Sequence, residues 1–130
     1  MAELTNLSIN NNEVVDYIIE QGVTGIWTYR KYASGIAMCF GKTSGTFTTN
    51  TLWSSPLYVT GGQKIQLQYP FKFIERPVVS ATHSSSGSSV FSIVADSILD
   101  LTLYTPQFQF VRTNNEFNVT SSFVVYGKWK

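Results

Sequence analysis

Charge is scarce in this chain. Asp, Glu, Lys and Arg make up 13% of its 130 residues, about half the share usual in globular proteins. Nine Lys and Arg against eight Asp and Glu leave a formal net charge of +1. No block of like charge exists, and the longest basic run is Arg30-Lys31. That excludes an electrostatic footprint for nucleic acid. A surface this poor in charge has to be covered by Ser, Thr, Asn, Gln and Gly.

Histidine and cysteine are rarer still, with one of each, His83 and Cys39. Zinc takes several such ligands, so no metal site built by one chain is expected. Three copies of His83 around a trimer axis would make one, but a hydrogen-bonded loop histidine is the stronger reading. The nearest carboxylate pair, Asp96 and Asp100, is too isolated for a calcium loop. A lone cysteine forms no intrachain disulfide and implies no oxidising compartment. Cys39 lies in the alternating run Ile36-Ala37-Met38-Cys39-Phe40 and reads as a buried strand thiol. No apolar stretch approaches the roughly 18–20 residues that span a bilayer. Ala2-Glu3-Leu4-Thr5-Asn6 has neither the basic nor the apolar region of a signal peptide. The expectation is synthesis in a cytoplasm without a Sec-type signal, and no membrane insertion.

Catalytic sets are missing in the same way. His83 is the one imidazole base, and its neighbours Ser84-Ser85-Ser86 are sequence neighbours on a serine-rich stretch, not a triad. Glu75, Asp96, Asp100 and Glu116 are scattered over turns, where paired carboxylates would be needed for glycoside cleavage. Gly61-Gly62 lacks the Lys-Ser/Thr of a phosphate loop. Asn118-Val119-Thr120 fits the N-glycosylation pattern, without consequence in the absence of a signal peptide. No catalytic residue, metal or cofactor is expected, and the chain reads as a binding protein rather than an enzyme.

What the chain does have is aromatic and β-branched residues in short alternating runs. Phe, Tyr and Trp reach 15%, and such side chains favour strands and interfaces. Residues 1–21 read as a polar lead followed by an extended apolar segment, 13–21, with no obvious strand partner. Residues 22–130 read as the folded domain. Gly25-Ile26-Trp27-Thr28-Tyr29-Arg30-Lys31-Tyr32, a turn at Ser34-Gly35, and Ile36 to Phe40 form a hairpin by spacing. Turns are expected at 43–45 and 113–116. Strands are expected at 46–49, 57–59, 65–69, 78–82, 90–95, 99–104 and towards the C-terminus. The proline-bracketed stretch 71–77 reads as an irregular crossing. Short strands at roughly 8–12-residue spacing predict an all-β antiparallel sandwich of about six to nine strands.

Sugars are held by flat aromatic faces with amide, hydroxyl or guanidinium partners. Trp53 and Tyr58 in a loop-rich stretch, and His83, Arg112 and Asn114 at turns, are the candidate carbohydrate-binding residues. For each one singly, a role in packing or in an ordinary turn is the stronger reading.

Three separated segments resemble a known family. They are Asp16-Tyr17-Ile18-Ile19-Glu20-Gln21-Gly22 leading into the Gly25–Tyr32 run and Ser34-Gly35-Ile36-Ala37; Tyr69-Pro70-Phe71-Lys72-Phe73-Ile74-Glu75-Arg76-Pro77-Val78-Val79; and the closing Gly127-Lys128-Trp129-Lys130. Together they are similar to C-terminal domains of phage and prophage tail fibres and other tail-tip proteins. Many relatives carry Trp where this chain has Tyr32 and Phe40, and both changes keep an aromatic. The resemblance implies a compact sandwich like the H-type lectin fold, assembled as a homotrimer at the virion tail tip. It also implies attachment to a bacterial surface receptor, often a polysaccharide. It transfers no binding residue. A structural tail or baseplate module without receptor binding is the alternative, and a polysaccharide depolymerase fragment is a third reading. Scarce charge, abundant aromatics and the apolar segment 13–21 are the chain's own grounds for expecting the trimer.

Overall fold

The structure, a computed structural model, describes residues 16–85, 89–95, 97–113 and 115–130. It contains β1 (Ile18–Thr24), β2 (Trp27–Tyr32), β3 (Ile36–Thr48), β4 (Thr51–Ser54), β5 (Leu57–Val59), β6 (Val78–Ser84), β7 (Phe91–Ala95), β8 (Gln107–Arg112) and β9 (Glu116–Lys128). No helix occurs among the described residues. The strands form two antiparallel sheets, one in the order β1-β2-β3-β9-β6 and one in the order β4-β5-β8-β7. This is the sandwich that the alternation predicts.

The core forms where period-two patterns from both sheets meet. β2 contributes Trp27, β3 contributes Ala37, Cys39 and Phe47, and β9 contributes Phe117, Val119, Phe123 and Val125. Phe108 and Phe110 of β8 face them from the other sheet. The predicted hairpin is present: Gly35 N donates to Tyr32 O at 3.0 Å, and Gly35 holds φ at +97°, a conformation that side chains with a Cβ rarely take. Cys39 is fully buried, as its alternation implies, and burial pushes its thiol pKa up to about 12.

Four local expectations are corrected. The Thr43-Ser44-Gly45 turn does not form, because β3 continues through it and pairs with β9 from Ile36↔Lys128 to Thr48↔Glu116. Hydroxyls on both strands reinforce the ladder there: Ser44 Oγ and Thr120 Oγ1 share a hydrogen bond at 2.9 Å, and Thr46 Oγ1 donates to Asn118 Oδ1 at 2.6 Å. A long partner strand overrides local turn preference. The strand expected at 99–104 is a turn instead. Asp100 Oδ1 accepts from Thr102 N at 2.9 Å and from Thr102 Oγ1 at 2.7 Å, and Asp100 O accepts from Leu103 N and Tyr104 N. An Asp side chain that bonds the backbone two residues on competes with a ladder.

Residues 65–69 are extended but make only isolated bridges, Ile65↔Phe108 and Gln68↔Tyr104, since Thr105 Oγ1 takes the Leu67 N–H. Finally, the segment 13–21 has a strand partner. Positions 13–15 lie outside the described residues, but β1 runs unbroken across positions 21 and 22 and pairs with β2 from Ile18↔Tyr32 to Thr24↔Trp27, with one irregularity near Ile18.

Candidate functional site

The end of the sandwich where β3 passes into β4 gathers most of the candidate binding residues. The stretch 50–63, expected as loop around one short strand, folds as the β4–β5 hairpin. Leu52 lies opposite Tyr58, and Tyr58 lies opposite Arg112 on β8. Trp53 sits on the irregularity between Leu52 and Ser54 and is 56% exposed. The β8–β9 turn is pinned beside this hairpin by the buried Thr49. Its Oγ1 donates to Thr113 O at 2.8 Å and accepts from Asn115 N at 3.1 Å. Trp53, Tyr58 and Arg112 are therefore neighbours on one sheet. Asn114 lies outside the described residues.

Arg112 is held in place by the fold, with its Nη1 buried and without a hydrogen-bond partner among the described residues. Its guanidinium stands 4.9 Å over the Phe117 ring. With the Asn115 carboxamide oxygen turned toward it, Arg112 Nη2 donates at 3.3 Å. The exposed face of Trp53, with Leu52 beside it, is the freer element of this end. It is an exposed apolar surface on a short strand whose other residues, Thr51, Leu52 and Ser54, are exposed too. Such a surface can stack a sugar ring and hydrogen-bond its edge.

His83 is not part of that platform and is not a loop residue. It belongs to β6, with register partner Ser121 on β9. Its Nδ1 hydrogen-bonds Ser121 Oγ at 2.7 Å. Its ring packs against Phe108, Phe110 and Phe123 with centroids 5.0, 5.1 and 6.1 Å away. Burial holds its pKa below the ordinary 6.5, because the imidazolium is poorly solvated there.

The unfolded state therefore binds the His83 proton more readily than the native state does. The neutral histidine's stability contribution is present above pH 6.5 and is lost as pH falls through the lower native pKa. Asp16 and Asp100, whose pKa values lie below 3.8, titrate in a more acid window. The expected result is a melting temperature that falls as the pH drops below about 6.5, with a flatter profile in the His83→Gln variant. Equal slopes in the two proteins would disprove the assignment.

A second polar surface went unread in the sequence. A cleft of about 430 Å³ is lined by Lys64, Gln66, Ser97, Ile98, Leu99 and Gln107. Gln66 Nε2 donates to Ser97 Oγ at 2.7 Å and to Thr105 O at 2.9 Å. Gln107 Oε1 is buried without a partner among the described residues. Gln66 and Ser97 stand 31 residues apart in the chain, and no local pattern joins them. Among the described residues no group of three His, Cys, Asp or Glu side chains is placed to hold a metal.

The three motif segments meet at the opposite end of the larger sheet. Trp27 Nε1 donates to Gln68 O at 2.8 Å, and Tyr29 stands edge-on to Phe71 at 5.6 Å. Lys31 Nζ lies 5.0 Å from the Phe71 ring centre and 5.2 Å from that of Trp129, with Glu20 Oε1 at 3.5 Å. Trp129 Nε1 donates to Tyr32 O at 2.9 Å. A Cβ on Gly127 would stand 3.0 Å from Pro77 Cβ and 3.1 Å from Phe73 Cδ1, so the absence of a side chain lets the crossing lie flat on β9. The motif residues lock the fold and leave ligand contact to other positions.

No known family and no curated protein matches the chain. Among solved structures the chain is similar to a C-terminal fragment of the R1 pyocin fibre of P. aeruginosa. The two share 12% identity at a TM-score of 0.49, over 84% of this chain and 28% of that one. The chain thus spans about 28% of the length of that fibre fragment, and a likeness of this degree makes no assignment.

Proposed function

We propose that this chain is a phage or prophage tail fibre tip domain that attaches to the bacterial host surface through carbohydrate. In this reading it acts at the virion tail tip as a homotrimer, uses its sandwich as a lectin does, and catalyses no reaction. The observation that carries the proposal is the convergence of the three motifs. Segments around residues 27–31, 69–77 and 127–129 lie far apart in sequence yet pack on one another through Lys31, Phe71 and Trp129. The family resemblance thus covers one co-packed unit instead of three separate matches. Trimeric presentation adds avidity to a weak sugar site without any new contact.

Trp53 is the residue assigned to stack the sugar, because it is the most exposed tryptophan of the platform end and its loss leaves the core intact. The test is binding of fluorescently labelled protein to a panel of whole bacteria and to their purified surface polysaccharides. Trp53→Ala is expected to weaken cell binding about tenfold or more, as loss of a central aromatic anchor does, with an unchanged melting temperature. Undiminished binding by Trp53→Ala would remove that residue from the site. Failure of the intact trimer to bind any surface that the whole fibre recognises would favour the assembly-module alternative.

A further inference from the structure

Register sets which side chains of the five-stranded sheet face away from the core. Cys39, Phe47, Phe117 and Val125 point inward, so the alternate pairs Phe40↔Val124, Lys42↔Ser122, Ser44↔Thr120 and Thr48↔Glu116 point outward. On β6, Ser80 and Thr82 stand opposite Val124 and Ser122. On β2, Thr28 and Arg30 stand opposite Phe40 and Met38. The outward face is therefore rich in hydroxyls, and it is cationic. Arg30, Lys42 and Lys128 lie on it, and among the described residues its strands turn one carboxylate outward, Glu116. Glu116 is six ladder positions from Ser122 and Lys42, roughly 20 Å at the rise of a strand. Glu20 lies on the other side of the sheet with Lys31.

One place on this face is hollowed. The pairing of β2 with β3 stops at Thr28↔Phe40, whereas β3 and β9 stay paired to Thr48↔Glu116. A notch of about 420 Å³ opens where the neighbouring strand ends, lined by Ile26, Thr28, Phe40, Lys42, Ser122 and Val124. The Phe40 side chain is 39% exposed. Lys31 and Lys72 have carboxylate oxygens at 3.5 and 3.2 Å, but Lys42 has no carboxylate partner among the described residues. The notch thus joins an open aromatic ring, an ammonium without a counter-charge, and hydroxyls on both sides.

We infer that this notch holds a carboxylated sugar residue of an anionic polysaccharide, with the sugar ring stacked on Phe40 and its carboxylate on Lys42. The inference rests on the carbohydrate attachment proposed above; it names the sugar's charge and adds a site on the larger sheet, away from Trp53 on the smaller one. Charge complementarity selects an anion, since the protein supplies Lys42 with no counter-charge and keeps carboxylates off the surrounding face. The exposed ring selects a sugar over a bare anion, because Phe40 offers a flat apolar face and no hydrogen bond. Ring and charge lie two residues apart on one strand, so both belong to one sugar unit, as in a uronic acid. The rows of Ser and Thr beyond the notch suit the hydroxyls of the units on either side. Three cations spread over β2, β3 and β9 are too few to follow a nucleic-acid backbone.

The experiment uses surface polysaccharide purified from bacteria that the intact chain binds, both native and after carbodiimide activation and borohydride reduction, which turn its carboxylates into alcohols. The intact chain should bind the native form about tenfold or more tightly than the reduced form, as loss of a charge-assisted contact implies. Lys42→Gln should bind the native form about tenfold more weakly and no longer distinguish the two. Phe40→Leu should weaken binding to both forms and keep their ratio. Lys64→Gln, a cation on another surface, should behave as the intact chain does. Melting temperatures check that each variant folds. Raising salt from about 0.1 to 1 M should weaken the intact chain and leave Lys42→Gln nearly unchanged. Equal binding of the two forms by the intact chain, a bound polysaccharide without carboxyl groups, or undiminished discrimination by Lys42→Gln overturns this site and leaves carbohydrate attachment standing. Binding to cells with none to their purified polysaccharides overturns carbohydrate attachment, and this site with it.

Discussion

Replacing Phe73 with alanine is expected to cost about 3–5 kcal/mol, the range for truncating a buried aromatic. Phe73 is 1% exposed. Its ring lies 5.3 Å edge-on to Tyr69 and 4.9 Å from Phe71, and its N–H donates to Thr102 O at 2.9 Å. It is the anchor by which the crossing 71–77 reaches the core, and the cavity left behind would be walled by rigid rings that collapse poorly. Against a total stability of about 5–15 kcal/mol for an ordinary domain, this loss is large enough to populate unfolded chain at 37 °C. Urea titration checks it: the midpoint should fall steeply while the slope m stays constant. Phe73→Leu keeps most of the volume and should recover more than half of the loss. A drop under about 1 kcal/mol, the ordinary size of a point mutation's effect, would mean that the crossing is not held by this residue.

The second large effect is expected from the smallest substitution. A methyl group added at Gly41 would stand 2.5 Å from the Ile26 carbonyl oxygen and 3.0 Å from its carbon. Those are backbone atoms and cannot rotate away. Either β3 bulges or the chain entering β2 moves, and the Thr28↔Phe40 pairing suffers in both cases. Gly41→Ala should therefore cost about 2–3 kcal/mol, in the range of overpacking a tight contact. Gly62→Ala is the matched control, because a Cβ there meets nothing within 4 Å and should change the melting temperature little. Comparable losses at the two positions would rule out the Ile26 contact as the cause, since Gly→Ala at an unstrained position is neutral or stabilising through the unfolded chain.

The motif cluster gives physical content to a resemblance that was first a matter of letters. Lys31 lies between two aromatic rings and beside a carboxylate, with its side chain 17% exposed. An ammonium held this way needs an aromatic on each side, one from the crossing and one from the C-terminus. That is why a hairpin, a proline-bracketed segment and a terminal Gly-Lys-Trp-Lys belong together. It is also why those motifs disclose no ligand: their side chains are occupied by one another.

Legibility differed by element. The hairpin at Ser34-Gly35, the crossing at 71–77 and the buried Cys39 could be read directly, because alternation, proline placement and a turn glycine are local signals. The turn expected at 43–45 and the strand expected at 99–104 were misread because the deciding partner was distant or of another kind. A thirteen-residue β9 keeps β3 extended, whereas Asp100 bonds its own neighbourhood. Of the candidate binding residues, Trp53, Tyr58 and Arg112 share one sheet. His83 was misplaced because a serine-rich neighbourhood looks like a loop until the strand register turns its ring toward Phe108 and Phe110.

The sequence alone determined the class of fold and the chemistry this protein is made of. Period-two alternation with β-branched and aromatic residues leaves few alternatives to stacked antiparallel sheets, and composition sets which side chains exist at all. Only the tertiary structure decided which strands neighbour one another, that β7 joins the sheet opposite β6, that Thr49 ties the Arg112 turn beside Trp53, and that hydroxyls of β3 and β9 pair across the ladder at Ser44 and Thr120. The physical reason is range. Alternation is written residue by residue along a single strand, whereas pairing, register and the make-up of a surface are set by hydrogen bonds and packing between segments tens of residues apart, which leave no local mark in the chain.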